Sequence, residues 1–217
     1  MILEIQKTEL LSLLTKQLDN MFGVNDADRA VLSGIMGPVL ESLEFCFSQT
    51  RNKYYKKQGQ AYFNPFHSGQ YSIFLYLVSY KVFILDKSNR ILADKVYYLN
   101  KCLNGLDLFY EVMMPKVFFL DHPVGSVLGR ARYGEYFCFS QNCTVGGNKG
   151  IYPTLGKNVK MLSGAKVLGS SLVGDNVIFS ANAYVKDFDI PSCSIVFGTS
   201  PHIVIKQKEE TYFVPQE

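Results

Sequence analysis

Two periods divide the chain. In the first half, apolar residues fall at helical spacing: Leu10, Leu11, Leu13, Leu14, Leu18 and Met21 follow Lys7 on one stripe, as one face of a 3.6-residue turn requires. Asn25 or Asp26 predicts the cap of a second helix, because a short polar side chain accepts from the free first-turn amides. That helix carries Val31, Leu32, Ile35, Met36, Val39, Leu40 and Leu43. Gly37-Pro38 sits inside the pattern and predicts a kink or break, since proline has no amide hydrogen to donate. The polar stretch 49–60 reads as a loop. A third helix is expected from about 68 to 84 and a fourth from about 90 to 103.

The second half has a different period. Leu155, Met161, Val167, Val173, Phe179 and Val185 recur at every sixth position, and Val159, Ala165, Ser171, Val177 and Ala183 stand four residues after the first five of them. A period of six is neither the helix period nor the alternation of a half-buried strand. It is the period of a parallel β-helix, in which each six-residue unit makes a short strand and a turn, and three units close one triangular coil. The large apolar residue points into the prism, and each coil buries its interior only against the next. The repeat is looser from 109 to 145, although Phe139 and Val145 keep the spacing. Gly146-Gly147-Asn148-Lys149-Gly150 interrupts it and is expected to be a loop pushed out between coils. The expected class is therefore α+β, with helices over 1–105, a parallel β-helix over 106–206 and a tail over 207–217.

Composition narrows the possibilities. Hydrophobic residues make up 47% of the 217 and charged residues 19%, which suits a packed globular core. A net charge of +3 without a dense Lys/Arg cluster argues against nucleic acid but suits an anionic small molecule. The five cysteines are odd in number and include no Cys-x-x-Cys, so neither a disulfide framework nor a zinc knuckle is indicated. The N-terminus has no basic segment followed by a long apolar one. The most apolar run, 71–85, contains Lys81 and falls short of a membrane span. A cytoplasmic protein with no bound metal is the expectation.

Three histidines are present: His67, His122 and His202. His122 follows Asp121 at the start of the repeat. An imidazole can take a proton from a hydroxyl near neutral pH, and a nearby carboxylate can hold its tautomer. A turn histidine that merely bonds a neighbouring coil would show the same residues.

A six-residue repeat preceded by Leu120-Asp121-His122-Pro123-Val124-Gly125 resembles the serine acetyltransferases. More broadly, it is similar to the hexapeptide-repeat acyltransferases, whose β-helix is left-handed. The resemblance covers roughly 60–206. It includes Gln141-Asn142-Cys143-Thr144-Val145-Gly146-Gly147, Ser163-Gly164-Ala165-Lys166-Val167-Leu168-Gly169 and Val196-Phe197-Gly198-Thr199-Ser200-Pro201. It implies transfer of an acetyl group from acetyl-coenzyme A to an acceptor hydroxyl, with His122 as the base. Asp107 or Glu111 would be the supporting acid, and Asp121 would face the acceptor. Coenzyme A would lie against Gly146, Gly147, Ser163, Gly164, Ala165, Ser180 and Ala181. Its adenine end would lie near Thr199, Ser200, Pro201 and Lys206. A homotrimer with sites between prisms is implied, and a dimer of trimers is compatible with it.

The departures from the family concern the acceptor. The family's Arg-His-Pro is Ile151-Tyr152-Pro153 here, so the bidentate carboxylate clamp of an arginine is missing. Lys149 can stand in as a point charge beside Tyr152. The stretch from His67 to Tyr71 either lines the acceptor pocket or is an ordinary helix start capped by Ser68. Serine is the first acceptor implied and a sugar hydroxyl, as in surface-polysaccharide modification, the alternative. A non-catalytic β-helix scaffold is the reading from a different class.

Overall fold

A computed structural model describes residues 1–50, 52–88 and 90–213. The chain divides into two compact units, Met1–Glu111 and Val112–Glu217. The last four residues of the expected tail, 214–217, lie outside the described residues.

The first unit contains β1 (Ile2–Leu3), α1 (Lys7–Phe22), α2 (Asp26–Ser48), β2 (Lys56–Lys57), β3 (Gln60–Phe63), α3 (Ser68–Leu85), α4 (Ile91–Asn104) and β4 (Asp107–Leu108). Asn25 does cap α2: its side chain accepts from the Asp28 amide at 2.8 Å, and Asp28 accepts in return from the Asn25 amide. Asn25→Ala should cost about 1 kcal/mol, measurable as a lowered urea midpoint of the helical signal.

Of the kink or break expected at Gly37-Pro38, the break does not occur: α2 runs on through Pro38. Pro38 and Gly34, whose carbonyl loses its amide partner, are both exposed. On the opposite side, seven buried side chains from Leu32 to Phe47 hold the helix in place. By length and composition alone α2 could cross a membrane, but this buried stripe also suits a core helix.

The expected loop at 49–60 holds more structure than its polarity suggests. A 3-10 turn at Lys53–Tyr55 buries Tyr55 edge-on against Phe47. β2 then pairs antiparallel with β3, which runs parallel to β1. Here the aromatic Tyr55 overrides the polar residues around it. Arg51 lies outside the described residues.

α3 starts where expected, at Ser68, but the residue that caps it differs. Its cap is His67, whose Nδ1 accepts from the Gln70 amide at 3.3 Å, and Ser68 is already the first helical residue. Imidazole nitrogen serves the free amide as a serine oxygen would. α3 is buried on nearly every side, α4 packs along it, and Gly105 ends α4 in the left-handed conformation at φ 62°.

The second unit is a three-faced prism of stacked coils. One face stacks β5 (Phe118–Leu120), β8 (Phe137–Phe139), β11 (Lys160–Met161), β14 (Val177–Phe179) and β16 (Ser194–Thr199), all in parallel. The second stacks β6 (Val127–Leu128), β9 (Thr144–Gly146), β12 (Lys166–Leu168) and β15 (Tyr184–Lys186). The third stacks β7 (Arg132–Tyr133), β10 (Thr154–Leu155) and β13 (Leu172–Val173). β17 (His202–Gln207) folds back antiparallel on β16.

The register confirms the period. Met161 pairs with Phe179 and Val167 with Val185, a coil of 18 residues. All six residues of the main repeat are at most 2% exposed, and so are the five that follow them by four.

Candidate active site

Two insertions interrupt the regular prism, and they flank one face. Leu120 pairs with Phe139 and Val127 with Thr144, so the first coil takes seven steps where the second takes five. The two extra residues fall in the stretch containing Asp121 and His122, which are expelled at the corner leading into β6. Val145 pairs with Val167 and Thr154 with Leu172, so the second coil takes nine steps after β9 where the third takes five. The four extra residues form a hairpin at the corner leaving β9. The face of β6, β9, β12 and β15 therefore has His122 at one edge and the hairpin at the other, on adjacent coils.

His122 has a left-handed backbone, φ 51°. Its side chain is 83% exposed and that of Asp121 70%, with Nε2 at 3.5 Å from the Asp121 carboxylate. A fold that buries so many of its repeat residues leaves this ring open to whatever lies on the face.

The hairpin is a two-residue turn. Asn148 and Ile151 exchange both backbone hydrogen bonds at 2.9 Å. Lys149 and Gly150 between them have φ 50° and 79°, the left-handed pair that such turns demand. Lys149 thus stands exposed at the tip. Tyr152 lies over Gly147, where an added Cβ would approach its ring to 2.7 Å. Asn148 reaches the carboxylate of Asp187, which also accepts from the Ser170 amide at 2.9 Å. The Ser170 amide first, then Asn148 and Lys186, hold that carboxyl below the usual carboxylate range, so it is ionised at neutral pH.

Ser163, Gly164, Ser180 and Ala181 lie at the same prism corner as His122, on the third and fourth coils. The corner is laced by amide-to-carbonyl bonds from Asn142 to Val124, Gly164 to Gln141 and Asn182 to Ser163. Gly164 has φ 76°, and a Cβ there would lie 2.3 Å from Asn182 Oδ1. Ala165 is buried inside the prism. Gly146 belongs to β9 on the flanked face. Thr199 pairs with Tyr184 at the far end of that face, and Ser200, next to Pro201, bonds both Tyr184 and Lys186. Lys206 departs from this set: it lies beside Ile195 on the first face, with its ammonium 5.3 Å from the Phe197 ring centre.

The remaining candidates belong to the first unit. Asp107 accepts from Tyr97 and from Lys101, each at 2.6 Å. Glu111 is ion-paired with Arg90. His67 caps α3 and lies against Tyr55.

Two cysteines lie near the flanked corner, and neither is primed as a nucleophile. Burial pushes the Cys138 thiol up to about 11 and raises that of Cys143, which donates to the Leu162 carbonyl. Both are protonated at neutral pH. No group of three or more metal-ligating side chains converges among the described residues.

Sequence reasoning missed Asn148 and Asp187 as a pair. The glycine-rich loop hinted at a tight turn, but nothing local linked it to an aspartate 39 residues on.

No family model matches the chain. A serine acetyltransferase of Staphylococcus xylosus is 29% identical over 143 residues, 64% of this chain and 65% of that protein. The serine acetyltransferase of Staphylococcus aureus strain N315 is equally similar, over 66% of its length. The chain thus matches just under two thirds of these curated relatives. Among solved structures, the serine acetyltransferase of Neisseria gonorrhoeae superposes with a TM-score of 0.75 at 17% identity, over 96% of this chain and 83% of that one. That of Brucella abortus strain S19 gives 0.71 at 18%, over 93% and 84%. By sequence and by fold alike, this chain is similar to the serine acetyltransferases, and its prism is a left-handed β-helix of the hexapeptide-repeat kind.

Proposed function

We propose that the protein is an acetyl-coenzyme A-dependent O-acetyltransferase that acts on the hydroxyl of serine or a serine-like acceptor. The observation that carries this reading is the pair of insertions on opposite edges of one prism face. One presents an exposed imidazole, and the other a hairpin with a cation at its tip. A scaffold needs neither. A solved serine acetyltransferase of this fold is in complex with CoA, and that of Neisseria gonorrhoeae with serine.

In the proposed reaction, His122 takes the acceptor's hydroxyl proton. The oxygen attacks the thioester carbonyl, backbone amides at Gly146 and Gly147 receive the oxyanion, and the carbon–sulfur bond breaks. The imidazolium returns its proton to the departing thiolate. The acyl group passes directly between substrates, in keeping with two cysteines held as thiols. Lys149 attracts the acceptor's carboxylate with Tyr152 beside it, Asp121 faces the acceptor from the edge of His122, and His67 is a further candidate. Ser163, Gly164, Ser180 and Ala181 line the coenzyme's path towards Thr199, Ser200 and Pro201, whereas Ala165, buried inside the prism, packs behind it. Lys206 is assigned to its phosphates as a weaker contact, because it lies off the flanked face. Asp107 is assigned as the acid orienting the imidazole, and Glu111 is the alternative; Asp107→Asn and Glu111→Gln separate them by kcat. A homotrimer in the cytoplasm is the proposed form.

The test is thiol release from acetyl-coenzyme A in the presence of serine, with nucleotide sugars in parallel. Serine-dependent release supports the reading. Release only with a sugar moves the acceptor to polysaccharide chemistry. If nothing turns over and coenzyme A leaves the melting temperature unchanged, the acetyltransferase reading fails.

A further inference from the structure

We infer that Asp187 is a positioning residue, tying the 148–151 hairpin to the fourth coil through Asn148 and so fixing where Lys149 meets the acceptor. The role rests on the acetyltransferase reading, but the tie itself is a property of the fold. The hairpin leaves the prism from the second coil, carries four residues beyond the regular count and has an exposed tip. Its two backbone bonds, one of them donated by Asn148 itself, close it on itself but reach no other coil. Among its side chains, Asn148 is the one that reaches across the corner: its amide donates to Asp187 Oδ2 at 2.5 Å. The other oxygen, Oδ1, accepts from the Ser170 amide at 2.9 Å and lies 3.4 Å from the Ser170 hydroxyl. One carboxylate thus joins the second, third and fourth coils.

Space for the tie is provided by Gly169, at φ 73°. A Cβ there would come within 1.9 Å of Asp187 Oδ1 and 3.0 Å of Asn148 Cβ. A bond from an amide to a carboxylate is charge-assisted and directional, so it selects one orientation of the hairpin. A charge that binds by proximity depends on that orientation, because a flexible loop would dilute it over many positions.

The test uses Asn148→Asp, which sets two carboxylates face to face, and the exchanged pair Asn148→Asp with Asp187→Asn, which restores a donor and an acceptor. Asn148→Ala is the mild variant that leaves the bonds of Asp187 to Ser170 in place. Two readouts are taken on the full chain: hydrogen exchange at the Asn148 and Ile151 amides, and the KM for acceptor and for acetyl-coenzyme A. Asn148→Ala should speed exchange by about two- to tenfold, the range one net hydrogen bond supports, and Asn148→Asp by more. Both should raise the acceptor KM by a similar factor with little change in kcat or in the KM for acetyl-coenzyme A. The exchanged pair should recover both. Unchanged exchange in Asn148→Asp overturns the tie whatever the activity. Faster exchange with an unchanged acceptor KM overturns the positioning role. A wild-type protein that turns over no acceptor removes the acetyltransferase reading and the positioning role built on it, while exchange still decides the tie.

Discussion

Replacing His122 is expected to lower kcat by about 10²- to 10⁴-fold, the usual contribution of a positioned general base, with little effect on the KM for acetyl-coenzyme A. The ring is 83% exposed, so its loss leaves no cavity and strips no core. Its backbone does impose one constraint: at φ 51°, asparagine is tolerated better than most residues. His122→Asn is therefore the cleaner variant, since it keeps the turn and removes the base, and His122→Ala serves as the second. Both should melt within about a degree or two of the parent. A loss of less than tenfold in both, with normal melting, would remove the general-base role. A large loss accompanied by a lower melting temperature in alanine but not in asparagine would point to the turn.

The largest effect on stability is expected from Phe179→Ala. Phe179 is fully buried, stacks on Met161 below and Val196 above, and belongs to the six-residue repeat. Truncating a buried aromatic costs about 3–5 kcal/mol, because the lost transfer energy adds to an unfilled cavity. In a chain of this size that corresponds to a fall of roughly 6–20 °C in melting temperature, taking about 2–4 °C per kcal/mol. The loss should register in the β signal of the second unit. Leu172→Ala is the control: Leu172 is 57% exposed on the third face and should change stability by less than about 0.5 kcal/mol. If the two variants melt alike, the stacked interior is not what holds the prism together.

Much of this was legible from residue spacing. The period of six with its inward-pointing large residues, a helix cap at Asn25 or Asp26 and the Asp121-His122 pair at the start of the repeat all follow from side chains and their near neighbours. The errors share a feature. Pro38 stays helical because seven apolar residues on the far side of α2 are packed, a strength no local rule counts. The 49–60 stretch folds because Tyr55 reaches Phe47. His67 caps α3 because its ring turns back onto Gln70, where serine was the expected residue.

The site divides the same way. Residue chemistry alone singled out His122 and the glycine-rich loop, because an imidazole and a turn are properties of a few adjacent residues; Lys149 entered only through the resemblance, as a charge in place of the family's arginine. Only the tertiary structure set His122 and the hairpin on opposite edges of one face, moved Lys206 off that face, and joined Asn148 to Asp187. Those relations depend on which residue of one coil lies over which residue of the next. That register is the running total of every insertion along the chain, so it is decided only once the coils have stacked and the core has closed.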